Sequence, residues 1–254
     1  MGIVFRATDL RLDRTVALKL IAPETGVNPE FRVRFERECR LAAAIDHPHA
    51  VEIFGAGEEG PTLYMTMRYV DGPDLLTVLG ENGCLDPRRA VSLLTQVAGA
   101  VDYAHSLGLV HRDIKPANVL IERRAGREHA FLTDFGLTKL MDTDDPLTRT
   151  GVPIGTVDYL APEQARGASV DARTDVYSLG CLLFTLLTGH PVFERENEVA
   201  KLWAHVHDPV PPLRSVRSDL PATLDRVLDR ALAKDPSSRQ QSASELARDA
   251  SAAF

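Results

Sequence analysis

The sequence has no run of about twenty apolar residues, the length a membrane-spanning helix requires, and its start carries no basic-then-apolar leader. Neither a transmembrane anchor nor a processed signal is expected, so the chain reads as soluble and cytoplasmic. Cysteine is scarce: Cys39, Cys84 and Cys181 are odd in number, far apart and without CxxC spacing. That excludes a disulfide framework and a cysteine-held metal, and leaves three thiols suited to a reducing compartment. A basic excess is missing too, with a net charge of -7 and a pI near 5.6. Nucleic acid is therefore excluded as a main partner. Internal repeats and long low-complexity tracts are also absent. What remains is 254 residues, enough for a substantial core in one large domain or two lobes.

The densest chemistry lies in His111-Arg112-Asp113-Ile114-Lys115-Pro116-Ala117-Asn118 and then Thr133-Asp134-Phe135-Gly136. The first stretch interrupts the apolar runs Leu107–Val110 and Val119–Ile121, which puts Asp113 and Asn118 on a loop between a helix and a strand. Ala130–Thr133 reads as a strand that delivers Asp134 before Gly136 lets the chain turn. Two carboxylates and an amide suit hard-cation and phosphate chemistry: oxygens hold the metal, and a free Asp orients a hydroxyl nucleophile. Either carboxylate alone would read as an ordinary loop cap.

The order His-Arg-Asp, four residues, Asn, then Asp-Phe-Gly resembles the catalytic and metal loops of protein kinases, in wording nearest their bacterial serine/threonine branch. Further matches follow in order over residues 2 to 252. Ile3–Thr8 and Thr15–Ile21 form a predicted hairpin, and Val16-Ala17-Leu18-Lys19 is similar to the kinase strand whose lysine grips the ATP α- and β-phosphates. A predicted helix opens at Asn28-Pro29 and aligns Phe31, Phe35, Glu38, Ala42 and Ile45 on one face. A carboxylate on that apolar face requires a cation, and the resemblance implies a Lys19–Glu38 pair.

Ala50–Phe54 and Thr62–Met67 are predicted to complete a small sheet. Arg68-Tyr69-Val70-Asp71-Gly72 then marks the junction with a helix-rich remainder. The fold class expected is therefore α+β: a bilobal kinase with a β-rich N-lobe over residues 1–69, lacking its first strand, and a larger helical C-lobe over 70–254. The resemblance implies an adenine site with Gly2, Val4 and Ala17 above and Leu120 below. Met67 would guard the back pocket, and Arg68 and Val70 would offer backbone contacts, although many relatives carry an acidic residue where Arg68 stands. It further implies Asp113 as the group that receives or orients the hydroxyl proton, Lys115 near the γ-phosphate, and Asn118 and Asp134 on Mg2+, with Mn2+ as an alternative.

Leu137–Leu160 has little periodicity and reads as an activation segment, with Thr148 and Thr150 as its phosphorylation sites, where a phosphate would pair with Arg112. Gly155–Glu163 is similar to the substrate-docking and Ala-Pro-Glu region, where Thr156 would shape the acceptor site. Before the catalytic loop, Asp86-Pro87 opens a helix running to Gly108, and after the activation segment Asp175–Leu187 reads as a buried central helix stopped by Gly189. Asp175 is implied as the anchor of the catalytic-loop backbone, and Glu163 with Arg239 as a structural pair. Leu220–Ala233 and Ser242–Ala253 are expected to close the fold as helices.

The implied function is transfer of the ATP γ-phosphoryl group to Ser or Thr hydroxyls of protein substrates, with a homodimer as a route to trans-autophosphorylation. One element departs from the pattern. The glycine-rich loop is represented only by Gly2-Ile3-Val4, which implies either a late start or a truncated kinase with weakened ATP binding. A pseudokinase scaffold and a small-molecule phosphotransferase are the rival readings. Every charged group that the chemistry needs is present, which opposes the first, and Lys115, Thr156 and Ala161-Pro162-Glu163 oppose the second.

Overall fold

The computed structural model describes residues 3–21, 29–60, 62–135 and 157–254. Gly2, Asn28, Gly136, Thr148, Thr150 and Thr156 lie outside the described residues.

The N-terminal hairpin forms as expected. Strand β1 (Ile3–Asp9) pairs antiparallel with β2 (Arg14–Leu20), from Ile3 opposite Leu20 to Asp9 opposite Arg14. Asp9 Oδ1 accepts from the Arg11 and Leu12 amides, at 3.0 and 3.3 Å, and so ties the turn. The other edge of β2 pairs with β4 (Thr62–Arg68), which in turn pairs with β3 (Ile53–Glu59), so the sheet order is β1-β2-β4-β3. On β4, Leu63, Met65 and Met67 alternate inward with the two-residue period of a one-sided strand. They pack with Phe31, Phe35 and Cys39 of α1 (Pro29–Ala42) and with Phe131.

Strand β3 corrects the expectation. Pairing with β4 covers Ile53–Glu59, with a register irregularity between Ile53 and Gly55, whereas Val51 instead gives its amide to Leu132 O at 2.9 Å. The Tyr64 ring lies over Gly57, where a Cβ would meet its hydroxyl at 2.6 Å.

The helical body is built around α5 (Ala172–Thr188), in which every residue from Thr174 to Thr188 is buried. A helix apolar on all sides is stabilised by packing rather than propensity, each buried leucine contributing about 1.5–3 kcal/mol. Gly189 ends it in the left-handed conformation, φ 80°, with its amide on Thr185 O. Helix α3 (Pro87–Ser106) is capped by Asp86 and buries Val91, Leu94, Val97, Val101 and Ala104. Two helices join those expected from the sequence: α2 (Leu75–Asn82), capped by Asp74, and α6 (Glu198–His207), capped by Asn197. A short α4 (Pro162–Ala165), α7 (Ala222–Ala231) and α8 (Ala243–Ser251) complete the body. Asp102 of α3 accepts from the Ala243 and Ser244 amides, both at 2.9 Å, and docks the start of α8.

Between sheet and body lies the hairpin of β5 (Val119–Arg124) and β6 (Arg127–Leu132). No helix among the described residues is long and apolar enough to cross a membrane.

Candidate active site

The catalytic loop is held from below by a buried carboxylate. Asp175 Oδ1 accepts from the Arg112 amide at 2.8 Å, and Oδ2 accepts from the His111 amide at 2.8 Å and from His105 Nε2 at 2.7 Å. Fully buried, it has three donors and needs no solvent. It also explains the Arg112 backbone. Arg112 has φ 68°, a region costing about 1–3 kcal/mol for a non-glycine residue. Its amide is fixed by Asp175, and its carbonyl accepts from Gln164 Nε2 at 3.0 Å. The role of Gln164 left no signal in the sequence beyond its adjacency to Ala161-Pro162-Glu163.

That strained turn presents Asp113. Lys115 Nζ lies 2.8 and 2.7 Å from its two carboxylate oxygens, and Asn118 Nδ2 donates to its carbonyl and Oδ2 at 2.7 and 3.0 Å. Three residues that the sequence singled out are thus locked together. The Asn118 amino group is committed to Asp113, so its oxygen is the atom suited to a cation.

Asp134 follows β6, again with a left-handed backbone, φ 67°. The two loops are joined by His111. Its Nδ1 accepts from the Asp113 amide at 3.3 Å, which leaves Nε2 protonated to donate to Thr133 O at 2.9 Å. Its ring meets Phe135 edge-on at 4.8 Å, and the Thr133 amide donates to Asn118 O at 3.0 Å.

Opposite this floor, Lys19 of β2 places Nζ 2.6 Å from Asp134 Oδ1. The carboxylate that Lys19 meets is thus Asp134, on the loop after β6. Glu38 is buried on α1, as its position on the apolar face requires.

Part of the set expected around a base comes together. Ala17 and Leu120 are half-buried and pack against the cluster that contains Met67 and Val70. Val4 stands opposite Lys19 in the β1–β2 register and is exposed. Met67 lines a small cleft with Val51, Ile53, Met65, Thr133, Asp134 and Phe135. The Arg68 amide donates to Glu52 O at 2.8 Å.

A small antiparallel sheet over a helical body, with this loop pair between them, is the bilobal α+β protein-kinase fold. Residues 1–250 match the protein kinase domain family. The chain is 43% identical over 255 residues to serine/threonine-protein kinase PknB of Mycolicibacterium smegmatis, covering 98% of this chain and 40% of that protein. It is 40% identical over 248 residues to PknD of Mycobacterium tuberculosis, covering 97% of this chain and 37% of that protein. The crystal structure of the M. tuberculosis PknI kinase domain superposes with a TM-score of 0.80 at 34% identity, covering 100% of this chain and 92% of that one. The chain belongs to the protein kinase domain family, in its bacterial serine/threonine branch. It spans about 40% of the length of these PknB relatives.

The family uses ATP with a divalent metal, and the residues present fit both. Asn118 and Asp134 offer hard oxygens, Lys19 a cation for phosphate, and Ala17 and Leu120 apolar surfaces for a base.

Proposed function

We propose that this domain transfers the γ-phosphoryl group of ATP to serine or threonine hydroxyls of proteins. The observation that carries the proposal is the locked set Lys115–Asp113–Asn118, tied by the Thr133 amide on Asn118 O to the loop whose Asp134 meets Lys19. Asp113 would orient the substrate hydroxyl and take its proton, while Lys115 balances charge near the transferred group. Asn118 and Asp134 would hold Mg2+ or, alternatively, Mn2+, which supplies charge neutralisation when bound. Lys19 would release Asp134 and engage the α- and β-phosphates, with Glu38 as the carboxylate it passes to. Ala17, Val4 and Leu120 would enclose the base, with Gly2 nearby in sequence, and the Arg68 carbonyl and Val70 would meet its edge.

We further assign Thr148 and Thr150 as autophosphorylation sites, Thr156 as part of the acceptor site, and the lobe boundary to residues 69–70. Phosphorylation of Thr148 and Thr150 between two copies is the proposed activating step, and the cytoplasm its setting. Incubation with ATP, Mg2+ and a basic test protein, followed by phosphosite mapping, checks the reading. Phosphoserine or phosphothreonine on the test protein is expected. Phosphate found only on small-molecule hydroxyls would overturn it.

A further inference from the structure

Arg68 stands at the C-terminal end of β4, opposite Val16 of β2, and the preceding pair sets Met67 opposite Ala17. Its side chain reaches across to the hairpin below the cleft. Arg68 Nη2 lies 3.2 Å from Glu122 Oε2, and its guanidinium carbon lies 4.2 Å from the centre of the Phe131 ring. Both contacts lead to the floor of the proposed adenine site. Phe131 is the register partner of Leu120, and Glu122 is two residues on from Leu120, on the same face of β5.

We infer that Arg68 is a positioning residue that sets the gap between Ala17 and Leu120, and hence the affinity for the adenine base, by clamping the end of β4 to β5 through Glu122 and Phe131. The inference rests on the nucleotide-site reading above.

The main chain joins the sheet to this hairpin at Val51, whose amide donates to Leu132 O at 2.9 Å, away from the Ala17–Leu120 gap. The segment after the junction is stitched to β5 by the Ile121 amide on Pro73 O, at 2.8 Å, and Gly72 lies so close that a Cβ would collide with Ile121 O. These contacts hold the body side of the junction only. Arg68 and Glu122 tie the sheet side to the same strand, one residue from the roof pair and two from the floor. The clamp is half-buried, and guanidinium stacking on Phe131 adds to the ion pair. Glu122 keeps a second cation, since Arg124 Nε lies 2.8 Å from Oε2. Removing Arg68 therefore does not strand a buried carboxylate, and the fold should survive the substitution.

The test measures ADP·Mg2+ binding by calorimetry for the wild-type domain, Arg68→Ala, Arg68→Glu, Glu122→Arg and the Arg68→Glu/Glu122→Arg exchange, with unfolding temperatures alongside. Arg68→Ala should raise the ADP Kd about three- to tenfold, and each charge reversal should raise it further. The exchange should bind ADP more tightly than either single reversal, because the ion pair is remade. KM for ATP should rise with Kd while KM for a peptide substrate stays within about twofold of wild type, a split that general loosening of the fold would not produce. Unaltered ADP binding in Arg68→Ala, or an exchange variant no better than the single reversals, overturns the clamp alone. A wild-type domain that binds no ADP overturns the nucleotide-site reading and the clamp with it.

Discussion

Lys19 Nζ and Asp134 Oδ1 stand 2.6 Å apart, so an ion pair joins β2, the strand proposed to bind phosphate, to the loop proposed to bind the metal. A cation at Asp134 competes with the lysine for the carboxylate, and a phosphate at Lys19 competes with the carboxylate for the ammonium. Nucleotide and metal are therefore expected to help each other bind, each freeing the partner group of the other.

This competition gives effects of opposite sign in one variant. Lys19→Met should tighten Mn2+ binding to the nucleotide-free domain, by about threefold to tenfold, because a competing cation is gone. It should also weaken ADP binding. Electron paramagnetic resonance of Mn2+ reads the first effect and calorimetry the second, and an unchanged Mn2+ Kd would show that Lys19 does not compete for Asp134.

Asp175 tests whether loop geometry governs turnover. Asp175→Asn removes acceptor capacity beneath His111 and Arg112, and Arg112 would relax from its left-handed backbone. A shift of about 1 Å in Asp113 suffices to cost about 100-fold in rate. Steady-state kinetics should show kcat falling by about 10- to 100-fold while the ATP KM changes little.

The Glu163–Arg239 pair predicts both stability and its pH dependence. Arg239 Nη1 and Nη2 meet the two carboxylate oxygens at 2.8 Å each, and Thr174 Oγ1 adds a third contact at 2.8 Å. Burial pushes the Glu163 carboxyl up, but the Arg239 hydrogen bonds and charge outweigh it and hold the group below its ordinary value of 4.5. Its contribution to stability is thus complete above pH 4.5 and is lost as pH falls through the lower, folded-state value. Arg239→Ala leaves a buried charge unpaired, which costs about 3–5 kcal/mol, or roughly 6–20 °C in Tm for a domain of this size. Thermal melts as a function of pH should show that loss, along with a weaker acid dependence. A drop below about 2 °C would contradict the structural role.

Thiol labelling separates the three cysteines. Cys39 is buried, and its thiol is pushed up to about 12 by burial and the Glu38 charge, against the opposing effect of Lys19. Burial likewise pushes the Cys181 thiol up. Cys84 is half-buried, with Arg217 Nη1 3.2 Å from its sulfur. An aromatic disulfide reagent should modify Cys84 in the native domain and the other two only on unfolding. Fast native labelling of two thiols would contradict the packing around α1 or α5.

Much of this was legible because the chemistry is local. Asp113, Lys115 and Asn118 lie within six residues, so one loop brings them together; Asp86-Pro87 and Gly189 carry their own start and stop signals. Long-range choices were not legible. Strand β3 starts only after Val51 has given its amide to Leu132 O, a long-range contact no local pattern announces. Helix α6 hid because Val199 and Trp203 are exposed, which blurs its amphipathic stripe. The contact of Lys19 with Asp134 likewise joins two distant elements, and the Arg68 side chain acts across the junction on a strand more than fifty residues away.

The most direct test of the central claim is the intact mass of the purified domain after incubation with ATP and Mg2+, beside Asp113→Asn. The account predicts added phosphates in the wild-type protein alone, mapping to Thr148 and Thr150. Equal masses for the two proteins, with no phosphate on either and none transferred to a test substrate, would contradict it.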